Sequence, residues 1–503
     1  MTGLLIAAAQ WADQPVIDWH AIAPEVVLVA TAALLIVLDV TLLERAKPLI
    51  SAVAGLGLLA SIIPVITLAI SDDTTRSLFG GAYVIDRPSL LLKALFILTG
   101  YVVVLMSTNY IAEGDYWESE YYTLLVLSIV GMTVMSSARD LISVFIAFEL
   151  LSIPTYMMSA WRKGDVRSNE AGLKYYLMGI FATGVLLYGM SLLYGVGGTT
   201  SLAGIGERIA EANSEVITLA VIFTVVGFGF KVSAVPFHMW APDTYEGAPT
   251  PVTAFLSVAS KAGGFVALIN VVYFCFVAGG ASGRSNVLTP AIFIISALSM
   301  TVGNVIALRQ SNVVRLLAYS GIAQAGFILA PFAVAGERPG ESYSSVIVYL
   351  VIYAAMNLGA FAVVIAAARK TRSAEISSMR GMFQYAPGLT LAMTIFLFSL
   401  MGIPPLGGWY AKFGIWKVLV DANTGYGYAL AILLAINTVV AAGYYLRIAK
   451  AMWFEDAADG DTAPVVLPSS LRYAMAICVI ATLLFGVLPN LLSQAASVVA
   501  AGV

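Results

Sequence analysis

The chain has 503 residues, 60% hydrophobic and only 11% charged, with a mean hydropathy of +0.90 and a formal net charge of −3. A soluble domain carries about 25% charged residues, so the composition excludes a soluble enzyme and marks an integral membrane protein. The near-neutral balance gives no footprint for nucleic acid, and two cysteines (Cys275, Cys478) with two histidines (His20, His238) fall short of the roughly four ligands of an iron–sulfur cluster or structural zinc.

The N-terminal MTGLLIAAAQWADQ resembles a signal h-region but lacks the positive n-region, so it reads as a short outside or interfacial segment that is retained. About 20 apolar residues cross about 30 Å of hydrocarbon as a helix. Apolar runs at 23–43, 48–70, 88–109, 119–136, 139–160, 168–196, 215–240, 248–277, 288–308, 314–335, 344–368, 385–420, 426–450 and 470–493 predict about fourteen transmembrane helices in an all-α membrane protein. No hydrophilic stretch is long enough for a soluble domain.

Lysine and arginine set orientation, because cytoplasmic loops hold the excess. Fourteen of the 26 basic residues fall on one face: Arg45, Lys47, Arg162, Lys163, Arg167, Arg309, Arg315, Arg369, Lys370, Arg372, Arg380, Arg447, Lys450 and Arg472. Six fall on the other: Arg76, Arg87, Arg139, Arg208, Arg284 and Arg338. The first face is predicted to be cytoplasmic, with both termini outside.

The remaining six basic residues lie inside spans and all are lysines: Lys93, Lys174, Lys231, Lys261, Lys412 and Lys417. Lysine can shed its proton when desolvated and arginine effectively cannot. Lys93 and Lys417 sit near span ends, where snorkelling to the headgroups is the expected reading. Lys174, Lys231, Lys261, Lys412 and Glu149 are deeper. At about 2.5–3.5 kcal/mol each on the insertion scale, they must be paired, hydrated or neutral, and one carboxylate cannot pair four lysines. Glu149 lies about 16 Å from the cytoplasmic end of its helix and Lys174 about 9 Å into the next, at 1.5 Å per residue. The two are therefore expected to form an ion pair.

Two spans are irregular. The seventh, IFTVVGFGFKVSAVPFHMW, is interrupted by Gly227, Gly229 and Pro236 around Lys231, with His238 at its mouth as either a proton relay or a simple loop histidine. The twelfth, TIFLFSLMGIPPLGGWYAKFGIW, breaks at Gly402, Pro404, Pro405, Gly407 and Gly408 just before Lys412. Irregular backbone at membrane depth survives only where it is buried or lines a cavity. A broken helix with a lysine in each half points to two inverted five-helix repeats and a transport path. The expected organisation is helices 1–3 over 1–118, a first repeat (helices 4–8) over 119–277, a second (helices 9–13) over 278–455, and a last helix over 456–503.

The stretches FELLSIPTYMM, LKYYLMGIFATGVLLYG, FKVSAVPFHMWAPDTYEGAPTPVTAFLSVASKAGGF, GNVIALRQSNVVRLLAYSGIAQAG and SLMGIPPLGGWYAKF run in order over about residues 140–415. They closely resemble the subunit N (subunit 2) family of the proton-pumping NADH:quinone oxidoreductase, respiratory complex I. The resemblance implies a translocase subunit of the bacterial cell (inner) membrane, surrounded by lipid and other complex I membrane subunits, sister antiporter-like subunits among them. NADH, FMN, iron–sulfur clusters and the quinone (ubiquinone or menaquinone) would sit on those partners, with no redox centre in this chain. It further implies a proton path through the Glu149–Lys174 pair, Lys231, Lys261 and Lys412, the last leading outward. Many relatives carry histidine where this chain has Gln324, which does not titrate in this range. The competing expectations are a subunit of a multi-subunit cation/proton antiporter and a purely structural membrane subunit.

Overall fold

A computed structural model describes residues 17–41, 49–71, 75–113, 118–209, 214–277, 287–458, 460 and 462–497. The N-terminal stretch 1–14, Arg45, Lys47 and Arg284 lie outside these residues. The helices, in chain order, are α1 (Ala23–Thr41), α2 (Leu49–Ser71), α3 (Arg87–Ala112), α4 (Glu118–Ser137), α5 (Leu141–Ser159) and α6 (Val166–Gly197). Then come α7a (Ser214–Lys231), α7b (Trp240–Gly247), α8 (Thr250–Val277), α9 (Leu288–Ala307), α10 (Val313–Val334) and α11 (Pro339–Thr371). The last of the longer helices are α12a (Pro387–Met401), α12b (Gly407–Asp421), α13 (Gly425–Phe454) and α14 (Ser469–Val487), with short helices at Leu202–Ile209, Met382–Tyr385 and Asn490–Ala496 besides. Among the described residues, twelve helices are long and apolar enough to cross a membrane. A small antiparallel hairpin of β1 (Arg76–Leu78) and β2 (Tyr83–Ile85), absent from the sequence reading, turns through Gly80 and Gly81, whose φ values of 66° and 91° suit glycine.

Helix starts follow local polar residues. Asp86 caps α3 by accepting from Ser89 N at 2.7 Å, while Ser89 Oγ accepts from Asp86 N at 2.8 Å. Asp140, Asp165 and Asn312 accept in the same way from the first free amides of α5, α6 and α10. Each cap removes orphan donors where a helix enters hydrocarbon.

The apolar windows of α8 and α11 are entirely buried, whereas those of α1, α2, α6 and α14 are only 28–33% buried. The first two form the centre and the others the periphery. Large apolar side chains such as Ile70 and Phe181 stand more than 70% exposed on that periphery, as lipid contact requires. The chain is a multi-pass membrane protein.

Loops at each end of the bundle meet as the basic-residue count groups them. Arg369 pairs with Glu113 at 2.6 Å and Arg380 with Glu455 at 2.7 Å at one end. Arg76 pairs with Asp18 at 3.0 Å and Arg139 with Asp86 at 3.1 Å at the other.

Lys93 corrects one expectation. It is wholly buried rather than snorkelling, and its Nζ lies 2.9 Å from Glu25 Oε1 and donates to Tyr83 OH at 2.7 Å. The neighbouring α1 supplies a carboxylate at this depth, so the ammonium has no need to reach the headgroups. Lys417 is exposed, as snorkelling requires. Removing one partner of a buried ion pair leaves an uncompensated charge, at about 3–5 kcal/mol. Lys93→Met is therefore expected to lower the thermal midpoint of the solubilised protein sharply, and Lys93→Met with Glu25→Leu to recover most of that loss.

Candidate functional site

The break in α7 places Lys231 at the last turn of α7a. Ser233, at φ 59°, reverses the chain into an irregular stretch that ends at α7b. Lys231 is fully buried, and its Nζ donates to Ser152 Oγ of α5 at 2.9 Å and Tyr175 OH of α6 at 3.1 Å. The rings of Phe148, Tyr156 and Tyr175 lie 5.4–5.7 Å away, within cation–π range. Its hydrogen-bond partners are hydroxyls, not a carboxylate. Trp240 of α7b ties the break together, donating from Nε1 to Phe230 O at 3.0 Å and stacking on Tyr175 at 4.3 Å.

Lys261 follows a π-helical turn, Leu256–Ser260, in the middle of α8. Such turns widen the helix by one residue and recur at functional sites. The Nζ of Lys261 is buried without a hydrogen-bond partner among the described residues, as are the hydroxyls of Tyr245 and Tyr353. Lys261 and Tyr353 line one tight internal gap with Gly321 of α10. A Cβ on Gly321 would stand 2.8 Å from Lys261 Nζ and 3.1 Å from Tyr353 OH. Glycine keeps that space open for both heads.

Lys412 is held by the second break. Gly402, at φ 94°, ends α12a in a left-handed cap: its N–H donates to Phe398 O and Ser399 O, and Ile403 N–H to Phe398 O, all at 3.0 Å. The carbonyls of Leu400 and Met401 remain, and Lys412 Nζ donates to them at 2.9 and 3.0 Å. A helix C-terminus carries negative dipole charge, so this end is a ready-made cation seat. Gln324 of α10 donates to the same Leu400 carbonyl at 3.1 Å and accepts from Tyr349 OH.

Polar groups lie between the three lysines, although none is hydrogen-bonded to Lys261 Nζ among the described residues. Tyr175 OH, beside Lys231, lies 3.4 Å from Ser260 Oγ, the residue before Lys261. Ser320, next to Gly321, shares a 2.5 Å hydrogen bond with Tyr445 OH, to which Gln324 Nε2 donates at 3.4 Å. The row thus runs from Ser152 on α5 to Leu400 on α12a through the centre of the bundle. The tyrosines of α11 and α13 and the π-turn were not singled out in the sequence, although a π-turn beside a buried lysine has no local sequence signal to find.

Lys174 departs from expectation. It does not pair with Glu149: its Nζ binds Glu170 Oε1 at 2.6 Å and Asp243 Oδ2 at 2.8 Å. Glu170 lies one turn back on the same helix and Asp243 on α7b, and both sit in the wetter end of the bundle with the half-exposed lysine. Two nearby, less desolvated carboxylates outcompete one deep carboxylate for a flexible ammonium. Glu149 Oε1 is buried with no hydrogen-bond partner among the described residues. Asp243 Oδ1 accepts from Arg315 at 2.8 Å, and Arg315 also binds Glu246 at 2.9 Å. Burial by itself would raise the Asp243 carboxyl, but the Lys174 and Arg315 contacts outweigh it and hold it below the usual range. His238 is half-buried in the irregular stretch after Lys231, its Nδ1 without a hydrogen-bond partner among the described residues. Among the described residues, no group of three or more His, Cys, Asp or Glu is placed to hold a metal.

Residues 138–440 match the transmembrane family of NADH:quinone oxidoreductases and Mrp antiporters. NADH-quinone oxidoreductase subunit N of Trichlorobacter lovleyi is 36% identical over 95% of this chain and 96% of its own length. The chain belongs to the subunit N family of NADH-quinone oxidoreductases. A solved chain of respiratory complex I from Thermus thermophilus superimposes with a TM-score of 0.77 at 28% identity, over 94% of this chain and 99% of that one. A chain of the Mrp complex from Dietzia sp. shares the fold, with a TM-score of 0.84 at 19% identity over 95% and 96% of the two chains.

The close approach of the two halves of α12 can be tested. A Cβ on Gly408 would meet Ser399 O at 1.8 Å. Gly408→Ala is expected to destabilise the subunit by about 1–3 kcal/mol, as over-packing does, read as a lower thermal midpoint of the solubilised assembly.

Proposed function

We propose that this chain is a proton-translocating membrane subunit of an NADH:quinone oxidoreductase. In this role it couples quinone reduction elsewhere in the assembly to proton movement through Lys231, Lys261 and Lys412. The observation that supports the reading is the buried row itself: three lysines at two helix breaks and a π-turn, with hydroxyls and one amide between them and, among the described residues, no carboxylate bound to any of the three. An ammonium held only by neutral groups at membrane depth is favoured little over its neutral amine. It can therefore give up and regain a proton.

Protons enter this scheme from the charged end of the bundle, near Lys174 and Asp243, with His238 as an additional relay. They reach Lys231, cross by Tyr175 and Ser260 to Lys261, and pass by way of Tyr353, Tyr445 and water to Lys412. Buried polar groups that lack a protein partner are the places where ordered water serves, and Lys261 Nζ and the Tyr353 hydroxyl fit that description. Gln324 does not titrate; its amide holds Tyr349 and Leu400 in place while water carries the proton past it. Glu149 acts by its charge, which changes the field at Lys231 according to what it is paired with. Moving one charge against 100 mV takes about 2.3 kcal/mol, and a change of about two units in proton affinity supplies about 2.7 kcal/mol.

The same reading makes α4–α8 and α9–α13 inverted repeats and puts the Arg-rich end in the cytoplasm of a bacterium, with both termini outside. NADH, FMN, iron–sulfur clusters and quinone belong to partner subunits, sister antiporter-like subunits among the neighbours. A cation/proton antiporter subunit is the second reading, favoured by the fold shared with the Mrp chain; the higher identity to subunit N favours the first. Gentle extraction of the tagged chain decides between them: a large assembly that oxidises NADH supports the oxidoreductase, and an intact assembly without redox subunits supports the antiporter.

Lys231→Ala is expected to abolish pumping through this subunit in an assembled complex. The measurement is the ratio of protons moved to NADH oxidised in vesicles, and an unchanged ratio would sink the proposed role. Gly321→Ala is expected to assemble, because the end of a lysine side chain can give way, yet to lower the same ratio by displacing Lys261.

A further inference from the structure

The cluster at the charged end of the bundle contains a bridge that the lysine row does not use. Asp243 divides its two oxygens between helices: Oδ2 to Lys174 of α6 at 2.8 Å and Oδ1 to Arg315 of α10 at 2.8 Å. Glu170 and Glu246 complete the network, and with Arg167 they line a surface cleft of about 180 Å³. The short helix α7b carries both Asp243 and Glu246.

We propose that Asp243 is the counterion that competes with Glu149 for Lys174, and that α7b transmits this exchange to Lys231. The inference rests on the proton-translocation reading given above. In the arrangement described, Asp243 holds Lys174 outward and the buried Glu149 Oε1 is without a partner. In the alternative, Lys174 swings inward to Glu149. Arg315 makes the release cheap, because Asp243 keeps one cation whichever way the lysine points. Asp243 is never orphaned, and in the exchange the deep Glu149 gains the lysine that the more exposed Glu170 and Asp243 give up.

The link to Lys231 is built from contacts between the same two helices. Tyr175 follows Lys174 on α6, and Trp240 lies three residues before Asp243 on α7b. The two rings stack at 4.3 Å with an interplanar angle of 14°. Tyr175 OH accepts from Lys231 Nζ, and Trp240 Nε1 donates to the carbonyl of Phe230, the residue before Lys231. Thr244 Oγ1 also reaches Ala171 O at 3.4 Å, and a Cβ on Gly247 would meet Arg167 O at 2.5 Å, so α7b lies flat on the first turns of α6. When the Asp243–Lys174 contact opens, α7b is held to α6 by less, and the stacked pair that positions the Lys231 partner shifts with it. Asp243 is thus a positioning residue, acting through Lys174 and Tyr175.

The test uses the intact complex in proteoliposomes, with the ratio of protons moved to NADH oxidised as the readout. NADH oxidation by an artificial acceptor measures how much complex has assembled. Asp243→Asn is expected to lose as much of the ratio as Lys174→Ala, and the double variant to lose no more than either alone, because both break one contact. Asp243→Glu is expected to recover much of the loss, which a purely structural role for the side-chain shape would not predict. A wild-type ratio in assembled Asp243→Asn, or losses that simply add in the double variant, overturns the proposal. Should the asparagine variant not assemble, Arg315→Gln puts the same question. It removes the charge that frees Asp243 from Lys174, so a loss of ratio is expected and a wild-type ratio again overturns the proposal. Lys231→Ala run in parallel separates the two levels. If it pumps normally the translocation reading itself fails; if it loses pumping while the Asp243 and Arg315 variants do not, only this inference fails.

Discussion

The carbonyls of Leu400 and Met401, left free where α12 breaks, hold Lys412 in the middle of the bundle. The wider constraint is that backbone and charge at membrane depth must satisfy one another, since lipid offers neither donors nor acceptors. A continuous helix satisfies its own backbone and leaves a lysine nothing to bind. A broken one exposes carbonyls that need a donor. The lysine and the break therefore solve each other's problem, and the same pairing of irregular backbone with a lysine recurs at α7 and, as a π-turn, in α8.

The rest of the architecture protects this arrangement. The apolar windows of α8 and α11 are wholly buried at the centre, and the peripheral helices carry the apolar surface. Around the three lysines of the row the partners among the described residues are hydroxyls, backbone carbonyls and aromatic rings rather than carboxylates. Lys93, away from the row, is instead bound to a carboxylate, that of Glu25. Two classes of buried lysine thus coexist in one chain, and their partners distinguish them.

At the charged end the logic changes. Lys174, Arg315, Asp243, Glu170 and Glu246 form a network in which each group has more than one partner, or a partner with more than one. Exposure lowers the cost of rearrangement there, and the proposed exchange of Lys174 would change the field at Glu149, deeper on α5. The aromatic stack of Tyr175 on Trp240 connects that adaptable region to the rigid one around Lys231.

Much of this was legible in the residues. Composition fixed the membrane class, because apolar surface on this scale has no other solvent. Gly402 and the paired prolines marked the break in α12, since no helix survives them, and lysines in apolar runs marked the row, since each is costly unless used. The partners were not legible. Lys93 looked able to reach the headgroups, and only the packing of α1 on its flank shows why it does not. Glu149 and Lys174 sit on consecutive helices, but Asp243, 69 residues beyond the lysine, takes the place of Glu149. Sequence spacing gives depth along a helix, which is set by a rise of 1.5 Å per residue. Which side chain faces which depends on how helices rotate and pack against each other, and that is decided by contacts between residues far apart in the chain.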